Sequence, residues 1–363
     1  MILQQMASPA DTKEIKEGNW PEDGLEKVSQ CPICGSSQRK LLHANLRDRV
    51  FCCAPGKWNL HECGGCGTAY LDPRPTMATI CQAYRNYSTH APIGGVDYAK
   101  APPWRRFRIA QRNAYLNTNY GYQLKPAVWN PLFLGAARRR RFDTFTGFFN
   151  FPGPGARVLD IGCGNGSYLW QMRSLGWEVC GVEPDPKSAA HARAAGLDVR
   201  DGLLQQQSFP EKHFDGITMT HVIEHLHDPM DTLRRCWKLL KPGGQITITT
   251  PNLSARGHQI FGPDWLPLDP PRHLIVFTEA SLRRAMETCG FVVSRPPQPS
   301  LKARELFHTC FRLQLAGPDK GRLNDLPFWV KIKKDLLAME ADMATRTDPS
   351  LAEESLLLGK KPA

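Results

Sequence analysis

No run in this 363-residue chain approaches the roughly 18 consecutive apolar residues that a membrane-crossing helix needs. Its opening residues, MILQQMASPADTKEIKEG, lack both the basic start and the apolar stretch of a secretory signal. Without either feature, the expectation is a cytoplasmic protein. No internal repeat is visible. Acidic residues are outnumbered, 35 Asp and Glu against 46 Lys and Arg, for a formal charge of +11. A basic balance attracts polyanions: nucleic acid, anionic lipid or a phosphorylated small substrate. Part of it sits in the consecutive Arg138, Arg139, Arg140 and Arg141, which read either as a solvated helix face or as a site for a phosphate-bearing substrate. Apart from cysteine pairs, no named nucleic-acid-binding motif appears, so nucleic acid is not the favoured partner. What is present, 41% hydrophobic and 22% charged residues, fits a soluble globular chain of one large or two ordinary domains.

The twelve cysteines are not spread like a disulfide framework. Four form C-x-x-C pairs, CPICG at 31–35 and CGGCG at 63–67, each followed by glycine as in the tight turns of zinc knuckles. Between them lies VFCCAPGKWNLHECG, fit for short strands. This is a zinc-ribbon pattern. Four thiolates from Cys31, Cys34, Cys63 and Cys66 would hold a structural Zn2+ tetrahedrally and supply folding energy to a module too small for its own core. A closed site of this kind has no open position for catalysis. Cys52, Cys53 and His61 are spare donors nearby, and the remaining cysteines read mostly as small buried hydrophobes.

Residues 1–27 are polar and aperiodic and predict a flexible tail, followed by the zinc module at 28–75. From 76 to 150 the chain is rich in Pro, Tyr and Arg and predicts a helical connector. FPGPG at 151–155 marks the clearest boundary. Beyond it, apolar strands alternate with helices: ARVLDIG, WEVCGVEP, LDVRDG, FDGITMTHV, QITITTPN and FVVSRPP are strands, and PMDTLRRCWKLL and TEASLRRAMETCG are helices. ESLLLGKKP has the pattern of a last strand. Such alternation predicts an α/β, Rossmann-like, doubly wound sheet over 151–363. Residues 297–350 read as an insertion before the last strand that covers the substrate pocket.

The chemistry concentrates at VLDIGCGNGSYL. A strand ends in Asp160, and the backbone turns through Gly162, Cys163, Gly164 and Gly166, where glycine lets the main chain approach a ligand. Twenty-one residues past Gly162, Glu183 ends the next strand, placed to accept hydrogen bonds from ribose hydroxyls. A nicotinamide dinucleotide uses a similar turn, but its pyrophosphate would not favour Asp160 beside it. Acids there suit a cofactor bearing an ammonium and a sulfonium.

VLDIGCGNGSYL, GVEPDP, FDGITMTHVIEHLHDP, LLKPGG and ITTPN together resemble the successive motifs of class I S-adenosylmethionine-dependent methyltransferases, over roughly residues 150–295. The resemblance implies a seven-stranded sheet with the last strand antiparallel. It places Asp160, Gly162 and Gly164 around the methionine part of the cofactor, Glu183 on the ribose, Asp201 and Leu203 beside the adenine, and Thr220 and His221 on the substrate side. The front half, CPICG…CGGCGTAYLDPRP followed by AYRNYS, is similar to bacterial methyltransferases with a zinc-binding front module. Some of those act on nucleotide-linked sugars or in surface-polysaccharide pathways. This implies a small-molecule acceptor, anionic or sugar-linked, and makes Tyr84 and Tyr87 candidates for a lid over the cofactor. The alternative is a zinc-bearing nucleic-acid-binding protein or an RNA methyltransferase.

Methyl transfer to a hydroxyl or an acidic carbon needs a base. The segment HVIEHLH at 221–227 ends a strand at the ligand-binding edge of such sheets. His221 and His225 are the candidate bases, with Glu224 orienting them and His227 expected to be exposed. H-x-x-E-H also matches an inverted zinc-peptidase motif, but it follows a strand here rather than lying in a long helix. Ubiquinone-pathway and small-RNA methyltransferases resemble this segment and hold magnesium with E-x-x-E-H. Here His221 replaces the first acid, which speaks against a hard-metal site. Arg272 and His273, in WLPLDPPRHLIVFT, are expected to close the pocket, Arg272 holding a phosphate or carboxylate.

Overall fold

A computed structural model describes residues 17–85, 102–128, 135–296, 303–317 and 325–363. Short strands β1 (Leu25–Glu26), β2 (Arg39–Leu46), β3 (Trp58–Cys63), β4 (Ala69–Leu71) and β5 (Arg74–Pro75) open the chain, followed by helices α1 (Pro103–Tyr120) and α2 (Ala136–Phe145). The alternating part comprises β6 (Arg157–Ile161), α3 (Ser167–Ser174), β7 (Glu178–Glu183), α4 (Pro186–Ala194), β8 (Asp198–Asp201), β9 (Phe214–Thr220), α5 (Pro229–Leu239) and β10 (Leu240–Pro251). After it come α6 (Arg256–Phe261), β11 (Ile275–Val276), α7 (Glu279–Thr288), β12 (Val292–Ser294), α8 (Ala303–Ala316), α9 (Phe328–Thr347) and β13 (Glu354–Lys360).

Seven strands form the main sheet in the order β12-β13-β10-β9-β6-β7-β8. β6 lies parallel to β7 and β9, β7 to β8, and β9 to β10, while β13 runs antiparallel to β10 and β12. The Rossmann-like sheet with an antiparallel last strand is therefore present as the sequence predicts. Its central strands are apolar on both faces because helices cover both: Val158, Leu159, Ile217, Met219, Ile246 and Ile248 are fully buried. Asp185 and Asp228 cap α4 and α5, each ahead of a proline at the first helical turn.

The front module makes a second sheet, in the order β11-β4-β3-β2. β11 comes from the far side of the chain, just past His273, and pairs Ile275 with Tyr70 and Val276 with Ala69. Trp58, Leu60, Tyr70 and Leu71 share one continuous core with Ile217, Ile248, Leu274 and Phe277. The segment expected as a loose tail is ordered from residue 17 onward. Trp20 is buried edge-on against Trp58, and β1 pairs with β5. A single tryptophan anchors it, which a periodicity search does not register.

Candidate active site

A cavity of about 2050 Å³ opens along the C-terminal ends of β6, β7 and β9. One end is built by the glycine turn. Gly162 sits at φ +70°, and a Cβ there would collide with the Val222 side chain; Gly164, at φ +54°, has open space on that side. The main chain between them faces the cavity with Asp160 and Glu183. Thr218 donates to Asp160 at 2.6 Å, and Glu183 accepts the backbone N–H groups of Gly164 and Asp185 at 2.7 and 2.9 Å. Neither carboxylate has a cationic side-chain partner among the described residues. Burial, and then the neighbouring Glu183 charge, push the Asp160 carboxyl up to about 7; burial likewise raises Glu183. Two desolvated acids with no counter-cation are a fit for a cationic ligand.

The other end is made by the strand-four segment. His221 adopts φ +54°, an uncommon conformation that functional sites retain. Its Nδ1 lies 3.4 Å from Glu224 and its Nε2 3.0 Å from Glu354. Burial alone would lower its pKa, but the Glu354 and Glu224 carboxylates outweigh it and hold it up at about 9. With a carboxylate facing each ring nitrogen, His221 is biased toward the protonated form, which makes it the poorer base. His225 differs: burial, then His273, take it down to about 4. Its Nδ1 lies 2.9 Å from the Arg272 carbonyl and 3.0 Å from the Tyr84 hydroxyl. A carbonyl can only accept, so Nδ1 carries the hydrogen and Nε2 keeps the lone pair.

A third wall is basic. Arg112 of α1 and Arg140 of α2 are half-buried at the cavity with no carboxylate at ion-pairing distance among the described residues, and Arg108 and Arg141 flank them. The Arg112 guanidinium lies 5.0 Å from the Phe145 ring and, among the described residues, donates to the neutral Asn113 amide. Burial lowers the pKa of both arginines. An anion entering here replaces lost hydration.

Residues 134–295 match the family described as a methyltransferase domain. A ubiquinone biosynthesis O-methyltransferase of Caulobacter vibrioides is 38% identical over 34% of this chain and 53% of its own. A probable S-adenosylmethionine-dependent methyltransferase of Mycolicibacterium smegmatis is 33% identical over 38% of this chain and 53% of its own. A solved SAM-dependent methyltransferase from Archaeoglobus fulgidus aligns at 22% identity over 62% of this chain and 92% of its own, with a TM-score of 0.39. The chain spans about half the length of the curated relatives it matches. What the matches share with this chain is the methyltransferase-domain region at 134–295.

Asp160, Gly162, Cys163, Gly164, Glu183, Leu203, Thr220, His221 and His225 of the matched region, and Tyr84 from the front half, all border this cavity. Several expected site residues do not. Gly166 faces α4 instead, where a Cβ would lie 2.9 Å from Ala192; it is a packing glycine. Asp201 turns outward onto Arg193 at 2.8 Å and leaves Gly202 and Leu203 to line the cavity. Arg272 is fully buried behind the site between Asp48 and Asp269, so it cannot take a substrate phosphate. His273 and Glu224 also stand behind the wall. His227 is not exposed: its Nε2 bonds the Pro75 carbonyl. The described part of 303–350 packs against α6 and supplies no lining residue to the cavity, whose outer wall is α1 and α2. Tyr87 lies outside the described residues. Sequence reasoning missed Glu354, Arg112 and the Tyr168 hydroxyl, buried near Asp160 with no hydrogen-bond partner among the described residues. Only Glu354 had a usable signal, an acid opening the last strand.

Cys31, Cys34, Cys63 and Cys66 converge in the front module, with Cys31 and Cys66 sulfurs 3.6 Å apart and Cys34 and Cys63 sulfurs 3.5 Å apart. Tetrahedral zinc with Zn–S of about 2.3 Å needs sulfurs roughly 3.8 Å apart, so the donor set fits. Cys52, Cys53 and His61 lie outside this cluster. A second donor group joins Glu224, His225 and His273. Glu224 Oε1 is buried 3.4 Å from His221 Nδ1 and 4.0 Å from His273 Nε2, and His273 Nδ1 is 2.6 Å from the Pro267 carbonyl. Histidines tied to carbonyls in this way fit a metal-ligand set.

Proposed function

We propose that this chain transfers a methyl group from S-adenosylmethionine to a hydroxyl of an anionic small molecule, such as a nucleotide-linked sugar or a surface-polysaccharide precursor. The observation that carries this is the unpaired, buried Asp160–Glu183 acid pair on a glycine turn, the feature a cationic methyl donor requires. When bound, that donor supplies a methyl already activated by the sulfonium. The chain's own residues align the partners, a contribution that can reach several kcal/mol. Glu183 holds the ribose and Asp160 faces the ammonium. The Arg112–Arg140 wall takes the acceptor's anionic group, and neutral His225 accepts the hydroxyl proton at Nε2. Curated relatives named as O-methyltransferases support oxygen as the acceptor atom. A screen of labelled methyl transfer against nucleotide sugars tests the reading. Incorporation that needs His225 supports it, whereas NAD(H) binding in the same crevice would overturn it.

A second reading rests on the buried Glu224–His225–His273 donor cluster. Glu224, His225 and His273 would hold a divalent ion that acts as a Lewis acid beside the acceptor. Metal retained per chain after dialysis, compared with a Glu224→Gln variant that also keeps its four cysteines, separates the two readings.

A further inference from the structure

We propose that Asp48 and Arg272 are positioning residues for the base, so that the four-cysteine module braces catalysis from behind the site. Asp48 lies on the loop between the two cysteine pairs. It is fully buried and accepts the backbone N–H groups of Phe51, Cys53 and Ala54 at 3.1, 2.9 and 3.0 Å. Its remaining capacity goes to Arg272, whose Nη1 and Nη2 donate to it at 3.1 and 2.6 Å. The rest of the guanidinium is spent as well. Nε and Nη2 donate to Asp269 at 2.9 and 2.6 Å, and Nη1 donates to the Ala83 carbonyl at 2.9 Å. The fork is saturated, with the Phe51 ring 4.4 Å from its centre. An arginine held this way cannot shift without leaving a buried charge unpaired.

Two of those anchor points sit next to the reacting pair. Ala83 precedes Tyr84, and the carbonyl of Arg272 itself meets Nδ1 of His225. One buried residue therefore fixes both partners of the Tyr84–His225 contact and, through its carbonyl, sets the ring tautomer that leaves Nε2 free. Pairing of β11 with β4, and the Leu71 N–H on the Leu274 carbonyl at 3.0 Å, tie the same loop to the module's sheet. The histidine segment is locked to that loop by the Leu274 N–H on the Glu224 carbonyl at 2.9 Å.

This inference rests on His225 as the base, and its test is read without acceptor or methyl donor, so either can fail while the other stands. The ring nitrogens of His225 are observed by 15N NMR of the full chain at neutral pH, assigned by their loss in His225→Gln. In the unmodified chain Nδ1 should resonate as protonated and Nε2 as a lone-pair nitrogen; the opposite tautomer overturns the proposal. In Asp48→Asn, which keeps one acceptor oxygen for the Cys53 and Ala54 amides but loses the charge and the second oxygen, both resonances should move toward the tautomer average. Asp269→Asn, the milder variant and the recourse should Asp48→Asn not fold, should give a smaller shift in the same direction. S-adenosylmethionine affinity by calorimetry should stay within twofold in both. Folded variants with unmoved His225 resonances overturn the proposal, and so does a shift accompanied by lost cofactor affinity, which would mark general loosening.

Discussion

Replacing Glu183 is the sharpest perturbation of the cofactor reading. The carboxylate is 8% exposed, ends β7, and already accepts two backbone amides from Gly164 and Asp185. A bound ribose would add hydroxyl hydrogen bonds to a charged acceptor, each worth about 1.5–3 kcal/mol. Glu183→Ala removes that acceptor together with the brace on the glycine turn. The expected loss is about 3 kcal/mol, on the order of 150-fold in Kd for S-adenosylmethionine. Glu183→Gln keeps one acceptor oxygen and should lose only roughly tenfold. Neither change should unfold the domain at neutral pH. Burial raises the Glu183 carboxyl, so its contribution to stability is present at low pH and fades as pH rises through its folded value. Titration calorimetry with matched thermal unfolding reads both quantities. If both variants bind within twofold of the parent, the carboxylate does not hold the ribose and the assignment of this end of the cavity fails.

Asp160, raised to about 7 by burial, should make cofactor affinity fall about tenfold per pH unit below 7 and stay flat above it. Its stability contribution runs the other way, present below about pH 4, its unfolded value, and lost by pH 7. Asp160→Asn should abolish both dependences, and a pH-independent Kd in the parent chain would refute the account. The protein should carry one zinc per four-cysteine site by elemental analysis. Cys34→Ser should lose it and expose Trp20 and Trp58, seen as a fluorescence change; unchanged emission without metal would show the module stands alone. Arg112→Ala and Arg140→Ala should each raise the acceptor KM at least tenfold and leave cofactor Kd unchanged; equal effects on both constants would mean the wall does not select the acceptor. Leu159→Ala, fully buried at the sheet centre, should cost about 2.7–5 kcal/mol in denaturant unfolding.

The sheet was legible because its signals are local. Short apolar strands, glycine stops and aspartate–proline caps repeat along the chain, and the antiparallel last strand followed from the family resemblance. The glycine turn and Glu183 were legible for the same reason, since one strand end and its neighbour define them. What stayed hidden depends on distant pairing. Arg272 looks like a substrate ligand until Asp48, 224 positions earlier, is seen to neutralise it. His221 and His225 are indistinguishable as candidate bases in sequence, and Glu354, from the last strand, separates them by capping one ring. β11 is two residues long and has no periodicity, yet it adds a strand from beyond β10 to the front module's sheet. Asp201 sat at a plausible position, but strand alternation turned its side chain to solvent and Arg193.

Charge in the cavity is ordered along its length, and that order constrains how two ligands can enter. Asp160 and Glu183 occupy the floor at the strand ends, while Arg112 and Arg140 come from helices that precede the sheet in sequence. A cationic donor is repelled by the arginine wall and drawn to the acids. An anionic acceptor is repelled by the acids and drawn to the wall. Inside a partly desolvated space such terms are far stronger than in water, so the same gradient that loads each ligand also sets it on its own side of the transferring methyl. His221 sits at this cavity between two carboxylates, Glu224 and Glu354, so its own charge is more than offset there. On the proposed reading, part of the basic balance seen in the sequence lies at the wall that would face the acceptor.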